Sequence, residues 1–166
     1  YLDRHPEVLN GVRPEPLEID AHLVSVVLHR AAEHRRADQR WGFAPSGWRN
    51  LATRGQRVTM VELGGDEDVE HEVEYRFIGN DSWEFKLGEW PKADAEGVLI
   101  DDGRRTAVVR CVGSAIEIDG RRTSPAVTRD GHGWRVSGFS GRTLWRELPR
   151  FAQHDADLAG SGPVAP

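Results

Sequence analysis

The sequence is poor in the groups that make covalent and metal chemistry easy. Its 166 residues hold a single cysteine, Cys111. A lone thiol forms no internal disulfide and no cysteine-only zinc site, which points to a reducing compartment and a cytoplasmic location. Lysine is scarce, Lys86 and Lys92 being the only two, and arginine takes its place. That bias, with the many alanines and glycines, fits a GC-rich bacterial coding sequence. No apolar run has the length needed to span a bilayer, and no charged-then-apolar N-terminal signal is present. A strongly basic balance is lacking too: the formal charge is −5 with both signs interspersed, which argues against nucleic acid as the partner. What remains is a chain of one-domain length, large enough to bury a core without disulfide or metal.

Residues 1–16 (YLDRHPEVLNGVRPEP) carry three prolines and a glycine and read as the tail of a preceding unit plus a connector. Residues 151–166 end in small, turn-forming DADLAGSGPVAP, as a linker does. With Tyr1 in place of an initiator methionine, the expectation is a middle domain over 17–150 with neighbours on both sides. From Leu17 to about Gln39 no glycine or proline interrupts, and Glu18 and Asp20 place negative charge at the positive end of a helix dipole. The apolar residues Leu23, Val24, Val26, Val27, Leu28, Ala31 and Ala32 cover more than half of that helix's circumference. A helix lying on one sheet shows a narrower stripe, so this one is expected to be surrounded. Its second half, from Glu33 to Arg40, turns polar.

Residues 56–148 instead show strand alternation broken by turn signals. In the clearest case Val69, His71, Val73, Tyr75 and Phe77 share one face, and Glu70, Glu72, Glu74 and Arg76 the other. Asn80-Asp81, Asp102-Gly103, Asp119-Gly120 and Asp130-Gly131 mark hairpins. Eight strands are expected, near 56–63, 69–78, 82–87, 97–101, 104–112, 114–119, 121–128 and 133–147, with Gly138 to Gly141 as the place where the last could break. One apolar helix and a meander of this size satisfy each other if the sheet curls around the helix. The fold expected is mainly β with one long helix: an eight-stranded antiparallel β-barrel wrapped around a central α-helix.

Candidate chemistry is sparse. His22 and His29 lie two turns apart on one helical face, too far for a zinc pair, and nothing completes a ligand set. Phosphate-binding loops, dinucleotide fingerprints and nucleophile elbows are all lacking. Gly64-Gly65-Asp66-Glu67-Asp68 lacks the spacing of a calcium loop and fits a hairpin turn better. The row Glu70, Glu72, Glu74 fits a solvated face. Cys111, beside Val109 and Val112, fits a buried inert thiol. An enzyme built on His71, Glu72 and Tyr75 is disfavoured, because Glu72 points to the other side of the strand. No catalytic, cofactor-binding or metal-ligating residue is assigned.

One stretch stands out. Between helix and first strand runs Arg40-Trp41-Gly42-Phe43-Ala44-Pro45-Ser46-Gly47-Trp48-Arg49-Asn50. Aromatic residues with arginine are the side chains enriched at interface hot spots, and loops on rigid scaffolds often carry function. On composition alone, Trp41, Phe43 and Trp48 serve equally well as plugs for the barrel end.

Ser46-Gly47-Trp48-Arg49-Asn50, the long helix before it, Tyr1 to Gly11 and the closing Gly162-Pro163-Val164-Ala165-Pro166 together resemble the alpha subunit of biotin-dependent acyl-CoA carboxylases, of the 3-methylcrotonyl-CoA and propionyl-CoA carboxylase type. The part resembled is the BT domain, which lies between the biotin carboxylase domain and the biotin carboxyl carrier domain. The resemblance implies a long helix within an eight-stranded barrel and a hook loop that contacts the carboxyltransferase beta subunit. That role falls on Trp41, Phe43, Ser46, Gly47, Trp48, Arg49 and Asn50. It also implies a parent enzyme that carboxylates an acyl-CoA, with 3-methylcrotonyl-CoA favoured over propionyl-CoA or acetyl-CoA. ATP, a divalent metal and biotin would belong to that parent; no glycine-rich ATP-binding segment and no Ala-Met-Lys-Met signature occur in these residues. The competing expectation is a small barrel that binds an apolar ligand, and the place of the helix discriminates between the two.

Overall fold

The computed structural model describes residues 14–37, 55–64, 67–90, 103–131 and 133–149. Among the described residues one helix, α1 (Pro16–Ala37), precedes nine strands: β1 (Gln56–Leu63), β2 (Val69–Gly79), β3 (Ser82–Leu87), β4 (Arg105–Val112), β5 (Ala115–Ile118), β6 (Arg121–Thr123), β7 (Ala126–Asp130), β8 (Gly133–Ser137) and β9 (Arg142–Leu148). Pro16 opens α1, where its missing N–H costs nothing, and Glu18 and Ile19 donate their N–H groups back to the Glu15 carbonyl. His34, Arg35 and Arg36 occupy the last turn, at the negative end of the dipole.

The strands form one sheet in the order β6-β5-β4-β3-β2-β1-β9-β8-β7. Every ladder is antiparallel. The hairpins are set by residues that tolerate positive φ. Asn80 (φ 50°) and Asp81 (φ 52°) turn β2 into β3, and Asp119 (φ 50°) and Gly120 (φ 81°) turn β5 into β6. Positive φ at both central residues marks the turn whose twist matches a right-handed hairpin.

The sheet curls into an open half-barrel around α1. Residues 21–27 of the helix are all buried, so the helix has no solvent-facing side over nearly two turns. Val24, Val26 and Val27 are wholly inaccessible and pack with Met60, Val73, Phe85, Val109, Val136 and Trp145 in one core. Each such aliphatic side chain contributes about 1.5–3 kcal/mol relative to exposure. The expectation that the helix is surrounded is met.

Two details of the expected barrel are corrected. The described residues form nine strands rather than eight, and the barrel is open. The run expected over 121–128 is two strands, β6 and β7, because Pro125 between them has no N–H for a ladder. The run expected over 133–147 divides into β8 and β9 at a turn closed by the Gly138 N–H on the Gly141 carbonyl, 2.9 Å. The strand expected near 97–101 lies outside the described residues, as do residues 1–13 and 150–166 of the expected flanking segments. The two edges, β6 and β7, are not paired with each other. Direction alternates at every antiparallel ladder, so an odd number of strands leaves the two edges, β6 and β7, pointing the same way. An antiparallel ladder cannot join them. Ser124 and Pro125 alone separate them, a span of at most about 11 Å, so β6 and β7 are successive lengths of one extended run that exchanges β5 for β8 as its partner.

Candidate functional site

Strand direction gives the half-barrel two distinct mouths. At the mouth where α1 ends lie the start of β1 and the ends of β7 and β9; at the other lie the start of α1, the start of β4 and the turn between β8 and β9. Sheet alternation fixes which polar side chains look inward. Glu62 lies opposite Trp145, and Arg105 opposite Leu87, on the helix-facing side. Thr143 and Glu147 have the parity of Trp145 on β9 and share that side. These inward groups meet polar residues on successive turns of the helix.

At the helix start, Glu18 accepts hydrogen bonds from the Ser140 N–H at 3.0 Å and from the Ser140 hydroxyl. Its Oε1 lies 3.7 Å from Nε2 of His22. His22 is fully buried, and its Nδ1 is 2.9 Å from the Thr143 hydroxyl oxygen, which also accepts from the Trp145 indole N–H at 2.6 Å. Burial holds the His22 imidazole below its ordinary pKa, against the opposing pull of Glu18 and Glu62. Burial by itself would raise the Glu18 carboxyl, but the Ser140 hydroxyl and N–H, His22 and the Phe139 N–H bring it below the usual carboxylate value. Asp20 pairs with Arg105, which also reaches Asp119 at 3.0 Å. Beside these groups a cleft of about 320 Å³ is lined by Asp20, Leu23, Glu70, His71, Glu72, Leu87, Gly88, Glu89 and Arg105. No group of three or more histidine, cysteine, aspartate or glutamate side chains among the described residues is placed to hold a metal ion.

At the mouth where the helix ends, Arg30 is buried and grips Glu147 of β9 through Nε, at 2.5 Å from Oε2, and through Nη2. Glu33 accepts from the Trp134 indole N–H at 3.2 Å and pairs with Arg129 at 3.0 Å, while the Arg129 guanidinium lies 4.3 Å from the centre of the Trp134 ring. His29 stands one turn before Glu33, 3.5 Å away. These contacts fix the last turns of α1 to β7, β8 and β9.

On the outer face of β1 and β2, Glu74 is buried. It accepts from the Gly55 N–H at 2.7 Å and from Arg104 at 3.0 Å, with Arg57 at 3.5 Å. Arg57 and Arg104 both lie over Trp90, 4.6 and 5.3 Å from the ring centre. Burial would raise the Glu74 carboxyl, yet the Gly55 N–H, Arg104 and Arg57 hold it below its usual value. The solvated face expected for Glu70, Glu72 and Glu74 is therefore corrected. Glu70 is exposed, but Glu72 accepts the Trp90 N–H and Glu74 is enclosed. Arg57, Trp90 and Arg104, which enclose it, are far apart in the chain, and no local sequence pattern signals their convergence.

The hook residues Trp41, Phe43, Ser46, Gly47, Trp48, Arg49 and Asn50 lie outside the described residues. Their described flanks, Ala37 and Gly55, both stand at the mouth where α1 ends. His71 and Tyr75 face the helix and Glu72 faces outward, as alternation requires; His71 meets Glu62 at 3.3 Å and the edge of Trp145, ring centres 5.1 Å apart. Cys111 is half-buried, and its thiol is pushed up by burial and by Asp81. Comparison with protein-family models, with curated proteins and with solved structures finds no match to this chain.

Proposed function

We propose that this domain is a non-catalytic docking module of the BT type, joining the biotin carboxylase subunit of an acyl-CoA carboxylase to its carboxyltransferase beta subunit. The observation that carries the reading is the burial of helix residues 21–27 on all sides within the curled sheet. A barrel that binds an apolar ligand keeps a cavity where this one keeps a helix. A helix pinned near its end by Arg30 and Glu33 is a rigid stem for a loop whose two ends return to the same mouth. On this reading Trp41 to Asn50 make the contact, with Gly47, Trp48 and Arg49 at its centre. The parent enzyme would use ATP and bicarbonate to carboxylate biotin, and the carrier domain would deliver the carboxyl group to the beta subunit for transfer to an acyl-CoA. The module's contribution is effective concentration: two active sites held within reach of one swinging carrier.

The test is assembly. Full-length subunit carrying Trp48→Ala and Arg49→Ala is co-expressed with the beta subunit and sized by gel filtration. Loss of the complex with an unchanged thermal midpoint supports the reading, and an intact complex refutes the hook assignment. A streptavidin blot of the parent polypeptide reports whether it carries biotin, and its failure to react counts against the family.

A further inference from the structure

We infer that two copies of this chain associate head to head through the mouth where α1 begins, the β8–β9 turn of each copy seated in the cleft of the other. The contact is separate from the one in the proposed function, which concerns the opposite mouth. Phe139, in that turn, is fully exposed, and no other large apolar side chain among the described residues is as open to solvent. Leu17, the next most exposed, adjoins Glu18 in α1 and lies at the same mouth. Single apolar side chains scattered over a surface are ordinary; here the two most exposed share one end. The turn that carries Phe139 is also fixed. The Gly138 N–H donates to the Gly141 carbonyl at 2.9 Å, and Glu18 accepts from the Ser140 N–H at 3.0 Å and from the Ser140 hydroxyl. Gly138 sits so close to the helix that a Cβ there would collide with Glu18 Oε1 and His22 Nε2. Phe139 is thus held outward on a backbone with little freedom left to lose, which lowers the entropic cost of binding through it.

The receptor is at the same end. The cleft of about 320 Å³ opens between the start of α1, the start of β2 and the end of β3, with Leu23 and Leu87 as its apolar part. An apolar cavity of about 150 Å³ accepts a benzene ring, so this one has room for a phenyl group and the carbons that carry it. Its rim sets four carboxylates, Asp20, Glu70, Glu72 and Glu89, against Arg105. Glu70 is exposed and makes no hydrogen bond or ion pair among the described residues. The matching cation is three residues beyond Phe139. Arg142 opens β9, is exposed, and likewise makes no hydrogen bond or ion pair among the described residues. One turn therefore carries a phenyl group for the apolar part and a guanidinium for the acidic rim, so turn and cleft match in size and in charge. Strand β1 separates β9 from β2, which places turn and cleft about 10 Å or more apart across the sheet. A two-fold axis lying across the mouth between them sets each turn over the partner's cleft. Both contacts are then identical, and association stops at two copies. Two such contacts make a small interface, under about 1,200 Å², of the weak and reversible class.

The experiment follows the full chain by sedimentation velocity from about 1 µM to about 1 mM, the range that spans weak contacts. A reversible shift from monomer to dimer is expected. Phe139→Ser removes both anchors and should weaken self-association by about thirtyfold or more. Arg142→Glu and Glu70→Arg should each weaken it by about tenfold, and the two together should recover most of the loss, because the charges are exchanged rather than removed. Phe139, Arg142 and Glu70 are all exposed, so thermal midpoints taken at the dilute end of the range should agree among the variants and establish that each is folded. A chain that stays monomeric throughout overturns the inference and leaves the turn to a different partner. A dimer indifferent to Phe139→Ser lies on another face and overturns it as well. So does assembly that continues past two copies, which a closed two-fold contact forbids.

Discussion

Arg30 of α1 and Glu147 of β9 meet side by side, two guanidinium nitrogens on two carboxylate oxygens, with Arg30 only 8% exposed. The pair joins the penultimate stretch of the helix to the last strand of the sheet. Its energetics are asymmetric: a buried pair gains little over apolar replacement, but half of one is costly. Glu147→Gln should therefore destabilise the domain by about 3 kcal/mol, read as a shift of the urea midpoint. Arg30→Met combined with Glu147→Leu should recover most of that loss. Equal loss in the single and the double variant would show that packing, not charge, is at stake.

Stability should fall as the solution is acidified from pH 7.5 to 5.5. Burial depresses the His22 pKa in the folded state, so the folded protein binds its proton less readily than the unfolded chain does. Above about pH 6.5 neither state is charged at this position and the full contribution is present. As pH drops below that value the unfolded chain takes up a proton and the folded state is disfavoured, down to the depressed folded pKa. His22→Asn should flatten this part of the profile. Glu18 and Glu74, whose folded carboxyls lie below 4.5, hold their contribution above that pH and give a second loss below it. Urea midpoints measured across pH 3–8 for the two proteins check both windows, and a profile unchanged by His22→Asn removes His22 from the account.

Gly133 opens β8 opposite Asp130, and a Cβ there would lie 2.2 Å from the Trp145 carbonyl oxygen, well inside van der Waals contact distance. The obstacle is backbone, so it cannot be relieved by a side-chain rotation. Gly133→Ala should cost about 1–3 kcal/mol by forcing β8 from β9. At Gly103 an added Cβ meets nothing within 4 Å, so Gly103→Ala serves as the control. Equal thermal midpoints for the two variants would contradict the geometry.

Two aromatics on neighbouring segments should differ sharply in cost. Trp145 is wholly buried, packs against His71 and donates to Thr143. Trp145→Ala should lose about 3–5 kcal/mol. Phe139, in the turn between β8 and β9, is fully exposed, and Phe139→Ser should change stability by no more than about 0.5 kcal/mol. Chemical denaturation of both variants is the check.

Local pattern carried much of the fold. The alternation of Val69 to Phe77, the Asn80-Asp81 and Asp119-Gly120 turns, and the wide apolar surface of Leu23 to Ala31 are each properties of a short stretch of chain, and each was readable there. Strand count was lost at Pro125, because a proline inside an alternating run looks the same whether the run keeps its partner or changes it. The polar contacts between helix and sheet were hidden for a related reason. Arg30 and Glu147 are 117 residues apart, and nothing near either one announces the other. Parity offered a partial signal, since Thr143, Trp145 and Glu147 must share a face once Trp145 is placed inside. The enclosure of Glu74 depended on Arg57, Trp90 and Arg104 converging from three segments, which alternation within β2 cannot reveal.

The junction at Ser124-Pro125 has a consequence for how the domain can be taken apart. No ladder crosses it, so cutting the chain there severs one covalent link and no strand pairing. The piece bearing β7, β8 and β9 would still meet the remainder along the β1–β9 ladder and through Arg30, Glu33 and Thr143. The domain is in this sense a two-part assembly that happens to be encoded as one chain, and it suits a split reporter: halves 1–124 and 125–166, each fused to a fragment of a luminescent enzyme, should find one another and restore the signal.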